Sequence, residues 1–125
     1  MTDTSTPLFS RSKVWLQDGD GNVIFGTGRL RILKAIQRNG SIHAAAKELK
    51  IGYRAVWARI HATEERLGVK LLEKKIGGTS GGGSELTPLA EFLIEQFTII
   101  QKKIEKETDE LFQDRLGERL NLKIS

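Results

Sequence analysis

The chain has 125 residues, enough for one domain, and no cysteine, which excludes disulfides, zinc–thiolate sites and thiol nucleophiles. No apolar run approaches the roughly 20 residues of a membrane span, and the opening MTDTSTPLFS is too polar for a signal peptide, so a soluble cytoplasmic protein is expected. The net charge of +4 is unevenly spread: residues 29–83 hold twelve Lys/Arg against four Glu, a net +8, while the flanks before and after carry −1 and −3. Cations gathered in one segment suit a phosphate-binding surface; a solvated basic face with no partner is the plainer alternative.

Residues 1–11 read as a disordered tail. Two β-prone runs, Lys13–Gln17 and Asn22–Phe25, flank Asp18-Gly19-Asp20-Gly21 and predict a hairpin over 13–25. The DGDGN stretch could be mistaken for a calcium loop. An EF-hand requires Gly at its sixth position and Glu at its twelfth, where this chain has Val23 and Arg29. A first helix is expected over 28–39: Leu30, Leu33, Ile36 and Gln37 keep a helical period, Ile32 lies on the flank, and Arg29, Arg31, Lys34 and Arg38 lie mostly on the outer side.

Two helices joined by a tight turn come next, over 41–49 and 53–67. Gly40 ends the preceding helix, and Ser41 offers a hydroxyl to cap the next. Ala44, Ala45 and Ala46 make a thin-walled helix that another can approach closely. Ile51 and Gly52 form the turn, and Gly68 stops the longer helix. A strand candidate, a loop from Gly77 to Ser84 and a returning strand at Glu85–Thr87 follow, together a wing over 70–87. Thr87 and Pro88 then open a long helix over 88–116, as cap and first-turn proline. Along it Leu89, Leu93, Phe97, Ile100, Ile104 and Leu111 recur close to a heptad, with charge on the remaining face, so it reads as a dimerisation helix; packing wholly on its own domain is the alternative. Residues 117–125 alternate, with Leu120, Leu122 and Ile124 on one side, and are left open between a terminal strand and the start of something further.

The fold class expected is therefore mainly α with a small β component: a winged helix-turn-helix with an N-terminal β-hairpin and a long C-terminal dimerisation helix. At 100° per residue, Val56, Ile60, Thr63 and Leu67 form the buried stripe of the second helix, opposite Arg54, Ala58, His61 and Glu65. Groove-reading residues come from the first turns of such a helix, which nominates Tyr53, Arg54, Trp57, Ala58 and His61 for base contacts. Arg54 can donate two hydrogen bonds to a guanine edge, and Ala58 is small enough to admit the bases. Phosphate contacts fall to Ser41, Arg59, Lys74, Lys75, Thr79 and Ser80, with Tyr53 also suited to that role. The two histidines, His43 and His61, are eighteen residues apart and have no Asp or Glu at ligand spacing, so no metal, cofactor or catalytic residue is expected. The glycine loop lacks the Gly-Lys-Ser/Thr of a nucleotide-binding P-loop.

Residues 40–88 resemble the winged helix of LysR-type regulators and, more closely, the N-terminal DNA-binding domain of the ModE type of molybdate-responsive regulator. The wider class shares Gly40-Ser41-Ile42, Ala45-Ala46-Lys47, the run Leu67 to Glu73, and Leu86-Thr87. The ModE-like details are Tyr53-Arg54 followed by Trp57 and the glycine-rich wing. The resemblance implies a homodimeric DNA-binding regulator of a near-palindromic double-stranded site, with no enzymatic activity. In ModE-like wings a lysine usually sits between the glycines, where this chain has Thr79 and Ser80. Full-length ModE carries molybdate-binding domains after its long helix, so a molybdate-like oxyanion effector has no site among these residues. A protein-interaction module remains the competing class, because fold alone does not set function.

Overall fold

The computed structural model describes residues 8–75 and 83–120, Lys75 by its backbone only. Wing residues Thr79 and Ser80, the first seven residues of the N-terminal tail, and Leu122 and Ile124 lie outside the described residues. The chain divides into two compact units, one from Val14 to Phe97 and one combining the residues up to Lys13 with those from Thr98 onward.

In the first unit, strands β1 (Leu16–Gln17) and β2 (Val23–Phe25) pair antiparallel. The Asp18 carboxylate closes their turn, accepting hydrogen bonds from the backbone N–H groups of Asp20 and Asn22, both at 2.9 Å, and from the Asn22 amide. The acidic residue that suggested calcium is thus spent on an Asx turn, and its hydrogen bonds from Asn22 hold its carboxyl below the usual range. Helix α1 spans Thr27–Asn39 and buries Leu30, Ile32, Leu33, Ala35 and Ile36. Ile32, assigned to the flank by spacing, is fully in the core, whereas Gln37 faces solvent; the buried arc is centred one residue earlier than the leucine spacing suggested.

Helix α1 ends at Gly40, whose φ of 73° and N–H bond to the Ile36 carbonyl make a left-handed cap that a side chain would strain. Helix α2 (Ile42–Leu49) starts at once, with Ser41 Oγ accepting from the Ala44 N–H at 3.1 Å, a cap whose loss costs about 1 kcal/mol. Ala45 and Ala46 are buried, so α2 packs closely on α1. Helix α3 (Tyr53–Leu67) buries Val56, Ile60, Thr63 and Glu64 and stops at Gly68, φ 69°. Strands β3 (Leu72–Lys75) and β4 (Gly83–Leu86) pair antiparallel with Leu72 opposite Leu86, forming the base of the wing. The Thr87 hydroxyl accepts from the Ala90 N–H and donates to the Lys70 carbonyl, capping helix α4 (Pro88–Phe112) while tying it to the wing.

One core joins these elements: Phe25, Leu33, Ile36, Val56, Ile60 and Leu71 are fully buried, each side chain contributing about 1.5–3 kcal/mol by leaving water. Phe97 belongs to it, meeting Phe25 edge-to-face with 4.9 Å between ring centres. This corrects its assignment to the pairing stripe, as does the partial burial of Leu93 against the same core. Ala90, Ile94 and Phe97 form the inward face of α4, and at 100° per residue Phe92 and Ile99 lie roughly 150° away from Phe97. The open apolar face of the helix is accordingly Leu89, Phe92, Ile99 and Ile100, with Leu111 further along.

In the second unit α4 passes into a π-helical turn at Gln113–Gly117 and a short α5 at Glu118–Leu120. Residues 118–120 are therefore helical, not the opening of a strand. The N-terminal tail reading also needs correction: Ser10 is buried, and its hydroxyl bonds the Asp109 carboxylate, which anchors residues 8–11.

Candidate nucleic-acid interface

The outer side of α3 is built by what its inner side must do. Val56 and Ile60 are fully buried, so the period of 3.6 turns Arg54, Trp57 and Ala58 into solvent. Tyr53 and Trp57 remain 40% and 46% exposed, large apolar rings left on the open side of the helix. Neither ring stands alone. Tyr53 stacks on His43 of α2, centroids 4.1 Å apart and planes 13° apart, and Trp57 lies tilted against His61 at 3.8 Å. The helix pair thus presents two ring pairs with Arg54 between them in sequence and Arg59 beyond.

The cations of the +8 segment separate into two groups. Arg29 donates to the Thr63 hydroxyl at 3.1 Å and is half-buried, which lowers its pKa first through desolvation and then through Arg59 and Arg66. Arg38 pairs with Glu48 across α1 and α2, and Arg66 donates to the Val23 carbonyl at 3.1 Å. These three hold the fold, so the outer-face assignment of Arg29 and Arg38 is only partly free charge. Arg54, Arg59 and Lys74 are exposed and form no ion pair among the described residues. Ser41 uses its lone pair on the cap, which leaves its hydroxyl proton available to an acceptor. The side chain of Lys75 is outside what the structure describes.

Two sequence expectations about α3 fail here. Leu67, placed in the buried stripe, is exposed because Gly68 ends the helix beside it. Its place inside is taken by Glu64, whose Oε2 accepts from the Leu71 N–H at 2.7 Å and the Leu72 N–H at 3.1 Å. Both donors belong to the start of the wing and would otherwise be buried without partners, at about 1–3 kcal/mol each. The expectation that neither histidine has an Asp or Glu at ligand spacing also fails. Glu64 Oε1 lies 2.9 Å from His61 Nδ1, though off the line of a hydrogen bond, so that oxygen has no hydrogen-bond partner among the described residues. The i, i+3 spacing of His61 and Glu64 was the available signal. Among the described residues no group of three His, Cys, Asp or Glu is placed to hold a metal ion, and no helix is long and apolar enough to cross a membrane.

A three-helix core with a two-stranded wing after its third helix, and that helix's polar and aromatic face open, defines the winged helix-turn-helix class. The family model described as bacterial regulatory helix-turn-helix protein, lysR family, matches residues 27–91, and the chain belongs to that family. Among curated relatives it is similar to the transcriptional regulator ModE of Haemophilus influenzae, 39% identical over 74 residues, covering 59% of this chain and 29% of that protein. The molybdenum transport protein ModE of Azotobacter vinelandii is 30% identical over 118 residues, 94% of this chain and 41% of that protein. The DNA-binding transcriptional dual regulator ModE of Escherichia coli K12 is 33% identical over 86 residues, 69% of this chain and 33% of that protein. The chain spans between 29% and 41% of the length of these relatives. Among solved structures, the crystal structure of the CbnR DNA-binding domain with DNA superposes with a TM-score of 0.53 at 28% identity, over 66% of this chain and 90% of that one. The benA-site DNA complex of the BenM domain, at 23% identity and TM-score 0.53, shows the same fold over 72% of this chain.

Proposed function

We propose that this chain acts as a sequence-specific DNA-binding transcriptional regulator, cytoplasmic and homodimeric, on near-palindromic double-stranded DNA. Helix α3 enters the major groove, where Arg54 reads base edges and Tyr53, Trp57, Ala58 and His61 shape the contact. The wing, through Lys74 and its neighbours, and Ser41 and Arg59 meet phosphates. The open faces of two α4 helices, Leu89, Phe92, Ile99, Ile100 and Leu111, pair across the twofold axis. The action is binding, not catalysis. The observation that carries this reading is the outer face of α3, where uncommitted Arg54 and Arg59 stand beside exposed rings on a basic segment. A protein-binding module has no need of that combination, and the relatives' names concern DNA and transcription. A molybdate-like effector rests on the resemblance to ModE alone and is assigned no residue.

The test is selection from a pool of random duplexes. Wild type should enrich one near-palindromic sequence, and its affinity should fall log-linearly with salt. Lys74→Ala should weaken every duplex alike and reduce the salt slope by about 1. Recovery of an unenriched pool would sink the assignment.

A further inference from the structure

Glu64 is buried, at 6% side-chain exposure, and its two oxygens face different parts of the winged unit. Oε2 holds the Leu71 and Leu72 N–H groups, where the wing leaves α3. Oε1 faces His61 Nδ1 at 2.9 Å and is otherwise unpartnered among the described residues. A lone pair on Nδ1 would meet carboxylate lone pairs at that distance, so the contact calls for a proton on Nδ1. A turn of the imidazole would bring an Nδ1–H onto that oxygen, and this ring is the one packed against Trp57. A single buried carboxylate therefore lies between the root of the wing and a ring pair on the open face of α3.

We propose that Glu64 is a positioning residue for DNA reading: it locks the wing's first strand with one oxygen and the His61–Trp57 pair with the other, making wing and helix one reading surface. This rests on the DNA-binding reading above. The role requires acceptors on both sides of the carboxylate. Glutamine keeps the shape but turns an NH₂ either toward the wing N–H groups, which loses that link, or toward His61, whose Nδ1 must then shed its proton and accept.

The experiment uses the full chain in a Trp15→Phe background, which leaves Trp57 as the sole tryptophan. Affinity for the duplex selected by wild type and for random duplex is measured for Glu64→Gln, His61→Gln and the double variant, alongside Trp57 emission. Each single variant should lower the selected-to-random ratio about tenfold, the double variant no further, as coupled neighbours do. Trp57 emission should move the same way in both single variants, and random-duplex affinity should hold in Glu64→Gln. Losses that add, or a folded Glu64→Gln with wild-type ratio, emission and His61 ring ¹⁵N shifts, would overturn the proposal. Should Glu64→Gln fail to fold, ¹⁵N shifts of the His61 ring in the wild type decide: a protonated Nδ1 supports the link, and an Nε2–H tautomer overturns it. A wild type that prefers no duplex fails the DNA reading itself, a distinct result.

Discussion

Helices α3 and α4 both leave large apolar side chains in the open, and the charges beside them separate their uses. On α3, Tyr53 and Trp57 stand with Arg54 and Arg59. On α4, Leu89, Phe92, Ile99 and Ile100 share a helix with Glu91, Glu95, Glu105, Glu107, Asp109 and Glu110 against three lysines. A polyanion is attracted to the first helix and repelled by the second, whereas a second copy of α4 finds apolar area flanked by charges of both signs. Exposed apolar surface marks an interface in each case, and only its electrostatic setting says which kind.

The contrast can be broken most severely at Phe97. It sits three residues before Ile100 on α4 but is 2% exposed and meets Phe25. Phe97→Ala should cost about 3–5 kcal/mol of stability in denaturant unfolding. A cost below about 1 kcal/mol would place Phe97 with the open face and undo the division drawn along the helix. Ile100→Lys is the complementary change. If α4 pairs two copies as proposed, this change should leave the melting temperature of the winged unit nearly intact, give a monomer by light scattering where wild type gives a dimer, and weaken binding to the selected site about 100-fold through lost bivalency. An unchanged mass would refute pairing through α4. On the other helix, Arg54→Ala should cost about 1–3 kcal/mol at the selected duplex and relax preference at one position, with mass and stability unaltered. Equal losses on all duplexes would reassign Arg54 to phosphate.

The helices and the wing were legible because their ends carry explicit chemistry: Gly40, Ser41, Gly68 and the Thr87-Pro88 pair each have one strong conformational use. The outward face of α3 was legible for the same reason, since Val56 and Ile60 fix the buried side and geometry supplies the opposite one. Three things were not. Spacing alone put Phe97 in the outward stripe, because a heptad cannot say which neighbouring arc of a helix meets its own core. Composition counted Arg29, Arg38 and Arg66 as available charge, whereas tertiary partners far along the chain engage them. Glu64 was hidden because a charged residue next to Glu65 on a helix reads as solvent-facing. The reason it is inside, the N–H groups of Leu71 and Leu72, appears only once the wing folds back.

The smallest effect tests whether the two faces are independent of the scaffold between them. Arg38 and Glu48 pair across α1 and α2, joined by the Asn39 amide, and touch neither face. The hydrogen bonds from Arg38, then Asn39, hold the Glu48 carboxyl below its ordinary value of 4.5. A carboxylate whose folded pKa is depressed contributes stability above its unfolded pKa and loses that contribution as pH falls through the folded one. Glu48→Gln should therefore lower the melting temperature slightly at neutral pH, with the difference from wild type closing as the solution is acidified below 4.5. Both side chains are solvent-accessible, so high salt should close the gap as well. Dimer mass and duplex affinity should not move. If duplex affinity falls along with the melting temperature, the α1–α2 scaffold sets the angle of α3 in the groove, and the reading surface extends beyond the helix that displays it.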